Sequence, residues 1–178
     1  MTEISQCPLQ EPVMRAIRER RSIRSYTDAH VSDETIRALL DAGRWAPSGM
    51  NNQPFRFLVL RRADPRFAAL SELTKYTRIV RSAPVMITVF LDRSATYHQN
   101  KDHQSAGACV QNIMLAAHAH GLGTVWLGQM MNNAPQVLEA LGLSPEAYEF
   151  ITALPLGVPA EPGTPSRKPL ADYMLEAF

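Results

Sequence analysis

Arg20, Arg21, Ser22 and Arg24 stand within five positions in the stretch RRSIR. Guanidinium forks match phosphate oxygens, and a serine hydroxyl or free backbone N–H groups can add to the grip. The same arginines at the C-terminal end of a helix would complement its dipole and face water. From these residues alone, an anion site and a solvated helix end both stay open. A second stretch, APSGMNNQPF over 46–55, gathers Pro, Ser, Gly, Asn and Gln. Amide side chains suit a ligand with both N–H and C=O edges. The same composition also makes an ordinary rigid connection between a helix and a strand.

Other stretches carry weaker chemistry. GLGTVWLG, 121–128, opens like a dinucleotide fingerprint, but Trp126 stands where the third glycine belongs. It also follows a helical pattern, whereas that fingerprint follows a strand, so a helix cap leading into a strand explains it better. SRKP, 166–169, is a small basic group on a proline-rich tail, and alone it reads as a solvated linker. His118 and His120 point in different directions on a helix, and His98 and His103 have no carboxylate partner in a ligand pattern. No metal site is expected. Cys109 sits in the most apolar helical stretch, where a thiol acts as a small hydrophobe.

The chain that must position these residues has 178 residues, with 46% hydrophobic and 20% charged content, which are globular values. Eighteen basic against seventeen acidic residues leave a net charge of +1, which provides no field for nucleic acid. Cys7 and Cys109 follow no redox or ligand spacing, which fits a reducing compartment. The start, MTEISQCPLQEP, lacks a secretory pattern, and no apolar run approaches the roughly 18 residues of a membrane span. These features predict a soluble cytoplasmic protein.

Periodicity predicts helices from Pro12, from the Ser32 cap to just before Pro47, and over about 64–80. The longest helix is expected over 103–120, closed by Gly121, with a short one at PQVLEALGL. Strands are expected at FRFLVL (55–60), VMITVFLD after Pro84, TVWLG, and YEFITALPLG (148–157). Five prolines between 155 and 169 favour an extended arm. Alternating strands and helices suggest a parallel, doubly wound sheet.

Taken in order, ERRSIRSY, RWAPSGMNNQPFRFLV, QNIMLAAHAHGLGTVWLG and ALPLGVPAEPGTPSRKPL resemble the nitroreductase family of FMN-dependent oxidoreductases. The resemblance implies an α+β fold with a mostly antiparallel sheet flanked by helices, in place of the parallel sheet. It implies an intertwined homodimer and one FMN-binding domain over 1–178, whose arm, 155–178, reaches across to the partner. Two FMN sites would lie at the subunit interface.

Carried over by motif, the resemblance implies that Arg20, Arg21 and Ser22 hold the FMN phosphate, with Arg167 completing the grip. Arg24, also a cofactor-binding residue, would stand beside flavin N1 and O2 and tune the ring more than bind it. Ser48, Asn51 and Gln53 would reach the flavin from the second subunit, and Trp126, Leu127 and Gly128 would run past the ring. The implied activity is ping-pong electron transfer from NAD(P)H to nitroaromatics, quinones or related acceptors, with no protein acid or base required. Relatives with other uses of reduced FMN (flavin supply, dehalogenation, ene-reduction) and a non-catalytic flavin-binding module are the alternatives.

Overall fold

The computed structural model describes residues 9–176. Cys7, the N-terminal stretch up to residue 8 and the last two residues of the arm lie outside them. The first helix, α1 (Gln10–Glu19), buries none of its residues, and its apolar Val13 and Ile17 are 53% and 47% exposed. Helix α2 (Asp33–Arg44) starts where expected: Ser32 Oγ accepts the N–H of Thr35 at 3.1 Å, and Asp33 and Glu34 occupy its first turn. It stops ahead of Pro47.

The strands are β1 (Phe55–Arg61), β2 (Val85–Asp92), β3 (Gly123–Thr124) and β4 (Tyr148–Gly157), in the order β1-β2-β4-β3 with every pair antiparallel. The parallel sheet suggested by alternation is therefore wrong, and the antiparallel expectation holds. The connection between β1 and β2 is two short packed helices, α3 (Pro65–Glu72) and α4 (Thr77–Ser82), rather than one long crossover. Together they return the chain to the end of the sheet that it left, so β2 runs back along β1.

Strand β2 is nonetheless buried on both faces. Val85, Ile87, Val89 and Leu91 join a core with α2 and α5 (Gln99–Ala119), while Met86 and Phe90 join a second core with α3 and α6 (Ala134–Leu141). Two-sided burial gives the unbroken apolar run normally associated with parallel strands. The pattern read as parallel was the signature of helices on both faces.

The helical stretch expected over 64–80 breaks at Leu73–Tyr76, because side chains from elsewhere hold the turn. Gln129 Oε1 accepts from Thr74 Oγ1 at 2.8 Å and from the Lys75 N–H at 3.2 Å, while Asn133 Nδ2 donates to Leu73 O at 2.9 Å. Helix α5 (Gln99–Ala119) starts earlier than expected, since Asp102 reaches back to accept the N–H groups of Tyr97 and His98. It ends as expected at Gly121, φ 72°, where the Leu122 N–H returns to Ala117 O at 2.8 Å. The strand expected over TVWLG ends at Thr124, because the next residues turn into a 3₁₀ segment, Gly128–Asn133. Helix α6 (Ala134–Leu141) then leads to β4.

Candidate functional site

The stretch Arg20–Tyr26 leaves α1 and is strapped to the edge of the sheet. Ser22 bridges Thr124, and the Ile23 N–H donates to Thr124 O at 3.0 Å. Tyr26 locks the curve, its buried hydroxyl reaching Ile23 O at 2.7 Å and Pro155 O at 3.2 Å, and burial raises its pKa. The proline-rich tail runs back along this strap through the Tyr26–Pro159 bridge and the Ala160 N–H to Ser25 O bond. Gly163 is required where the two meet, since a Cβ there would collide with Arg21. Tyr26, Thr124 and Gly163 were not picked out by sequence reasoning. The tyrosine beside the arginine motif and the lone glycine of the tail were the available signals.

This apposition brings Arg20, Arg21 and Arg167 together. Arg20 has its pKa lowered first by burial and then by the positive charges of Arg167 and Arg21. Its Nη1 is buried without a hydrogen-bond partner. By contrast, Arg21 Nη1 donates to Arg18 O at 2.6 Å and Arg20 O at 2.8 Å, tying down the end of α1. A cleft of about 460 Å³ opens beside them, with Arg20, Arg21, His118, Leu122 and Thr124 among its walls. A buried guanidinium nitrogen pressed by two further cations is an arrangement that an anion relieves. Such an arrangement is more than a solvated helix end requires, since Arg20 Nη1 is neither in water nor paired. Ser22 and Arg24 face a smaller neighbouring cleft of about 230 Å³ with Glu161 and Thr164, and Arg21 shares another with Arg167.

The remaining predicted residues are held elsewhere. Trp126 is 40% exposed, whereas Leu127 is buried with its N–H donated to Ala153 O at 3.1 Å. Gly128 adjoins the indole. The 48–53 loop is tightly wound: Ser48 Oγ accepts the Gln53 N–H at 2.9 Å, and Gln53 Nε2 donates to Asn51 O at 3.1 Å. Met50, Asn51 and Gln53 all hold positive φ, at 53°, 56° and 50°. Such conformations in non-glycine residues store strain that is characteristic of functional loops. Gly49 packs against Tyr97, just ahead of α5, while the arginine cleft lies at the far end of that helix. At about 1.5 Å per residue, α5 sets these two groups roughly 30 Å apart within one chain.

The sequence profile of the nitroreductase family matches residues 17–158. A provisionally assigned nitroreductase from Desulfovibrio desulfuricans, crystallised in complex with FMN, is 57% identical and superposes with a TM-score of 0.92 over 93% of this chain and 96% of its own. A protein of Methanothermobacter thermautotrophicus, provisionally named NADH dehydrogenase/NAD(P)H nitroreductase, is 38% identical over 85% of this chain and 80% of its own. The FMN reductase [NAD(P)H] of Bacillus subtilis is 27% identical over 84% of this chain and 66% of its own. With its antiparallel sheet, its arginine strap and these relatives, the chain belongs to the nitroreductase family.

Proposed function

We propose that this protein is an FMN-dependent NAD(P)H oxidoreductase that acts as a homodimer, the whole chain forming one domain whose arm crosses to the partner. The observation that carries the reading is Arg20 Nη1, buried and unpartnered beside Arg21 and Arg167. That arrangement fits the phosphate end of FMN, because a dianion supplies the acceptor and charge that the guanidinium cluster lacks.

In this reading Arg20, Arg21, Ser22 and Arg167 hold the phosphate, and the strap pinned by Tyr26 fixes them before the cofactor arrives. Arg24 sets a fixed positive charge at the ring edge, where it favours the electron-rich form. Trp126, Leu127 and Gly128 form the wall beside the ring, with the Leu127 side chain buried in the core. Bound FMN would supply two-electron transfer from NAD(P)H to an acceptor such as a nitroaromatic or quinone, in two half-reactions. Ser48, Asn51 and Gln53 of one chain complete the site of the other. The length of α5 supports this, because the loop and the arginines of one chain stand too far apart to meet on one flavin.

Arg20→Ala tests the reading. Loss of a charge-assisted contact worth about 1.5–3 kcal/mol should weaken FMN binding roughly 10- to 100-fold, measured by fluorescence titration of the apoprotein. Unchanged affinity would remove the anion site from the proposal. An anaerobic visible spectrum before and after NADH or NADPH tests the redox step: a flavin that stays oxidised with both donors would leave only a binding module.

A further inference from the structure

A second cleft, of about 450 Å³, lies at the start of α5, with Arg93, Tyr97, His98, Asp102, His103 and Glu149 among its walls. It is separated from the arginine cleft by most of the length of that helix. Asp102 is only 1% exposed. Its Oδ2 accepts from the N–H groups of Tyr97, at 3.0 Å, and His98, at 2.7 Å, which caps the helix. Its Oδ1 is buried and has no hydrogen-bond partner. Capping therefore accounts for one oxygen and leaves the other, on a residue that lines the cleft, without a donor, a costly state for a buried carboxylate.

The other charged side chains around the cleft are already engaged. Glu149 Oε1 lies 2.6 Å from His103 Nε2, and Glu149 Oε2 lies 3.5 Å from Arg93 Nη1. Arg93 Nε donates to Pro145 O at 2.8 Å. Lys101 Nζ sits over the Tyr97 ring, 5.4 Å from its centroid. Both oxygens of Glu149 thus have partners within the chain, whereas only one of Asp102 does. Among the described residues, no group of three or more His, Cys, Asp or Glu could hold a metal ion. The missing partner is best met by a compact cation with N–H donors rather than a bare metal.

We propose that this cleft is a binding site for a small ligand bearing a primary ammonium group, which donates a hydrogen bond to Asp102 Oδ1. The site stands on Asp102 rather than on any residue assigned to the flavin. Two probes of equal charge test it on the full-length, flavin-loaded protein by ¹H–¹⁵N NMR at constant ionic strength. Methylammonium has N–H donors, and tetramethylammonium has none. Methylammonium should shift the amides of Tyr97, His98 and Asp102 saturably, whereas tetramethylammonium should leave them in place. Asp102→Asn keeps a carbonyl oxygen for the helix cap but puts an amide donor where Oδ1 stood, so it should weaken methylammonium binding at least about tenfold. No saturable shift up to roughly 100 mM, a weaker affinity than any specific contact here predicts, would overturn the proposal. An equal response to both probes, or an unchanged affinity in Asp102→Asn, would overturn it as well. If the variant does not fold, the wild-type comparison of the two probes still decides.

Discussion

At the scale of single residues, the two kinds of arginine should separate in mutants. Arg20 faces a cleft with an unpartnered nitrogen, so its loss should appear in FMN affinity. Arg24 makes only a long 3.4 Å contact to Ser22 O, and its proposed role is to tune the ring. Arg24→Ala should slow reduction by NAD(P)H about tenfold or more, with a smaller change in FMN affinity. Stopped-flow reduction of the flavin-loaded variant measures this, and a variant that loses flavin but is reduced at the wild-type rate would refute the assignment. Asp92 offers a pH test of the scaffold. The hydroxyl of Ser94, 2.6 Å away, is the main cause of its lowered pKa, with the Ser94 N–H and Arg56 assisting. A folded pKa below the unfolded one gives stability that is present above the ordinary 3.8 and lost as pH falls through the folded value. Asp92→Asn should therefore be less stable than wild type at neutral pH, and chemical denaturation curves should converge as pH drops below about 3.8. The arginine cluster was visible in the sequence but ambiguous, because a helix end and an anion site use the same residues. The cation that presses on Arg20, Arg167, lies almost a whole chain away, beyond the reach of any local pattern.

At the scale of elements, Gly49 shows how the strained loop is held. A side chain there would drive into the Tyr97 ring, so Gly49→Ala should cost about 1–3 kcal/mol. Thermal unfolding checks this, and adding Tyr97→Ala should recover part of the loss, because it removes the clashing ring. The strands at 55–60 and 148–157, the Ser32 cap and the Gly121 cap were legible because local composition or periodicity specifies each of them. The break at Leu73–Tyr76 was not, since its hydrogen bonds come from Gln129 and Asn133, far along the chain. Sheet direction was not legible from pattern either. Burial on both faces gives β2 the same apolar run whether its neighbours are parallel or antiparallel, and only the family resemblance pointed to the antiparallel arrangement.

At the scale of the molecule, the exposed apolar residues agree with the proposed dimer. Leu9, Val13 and Ile17 on and before α1 are 69%, 53% and 47% exposed, and Leu170 and Tyr173 on the arm are 72% and 61% exposed. Faces of this kind mark association surfaces. Sedimentation velocity should give a dimer, and truncation after Pro169 should shift it toward monomer. Helix α5 acts here as a spacer, and its consequence is genetic as much as structural. If each flavin draws arginines from one chain and a loop from the other, two impaired proteins can repair one another. Mix Arg20→Ala chains with Asn51→Ala chains and let the subunits exchange. Each hybrid carries one site with both defects and one with neither. Half of the pairs are hybrids, so at an FMN concentration that loads intact sites but not impaired ones, the mixture should regain about a quarter of wild-type activity.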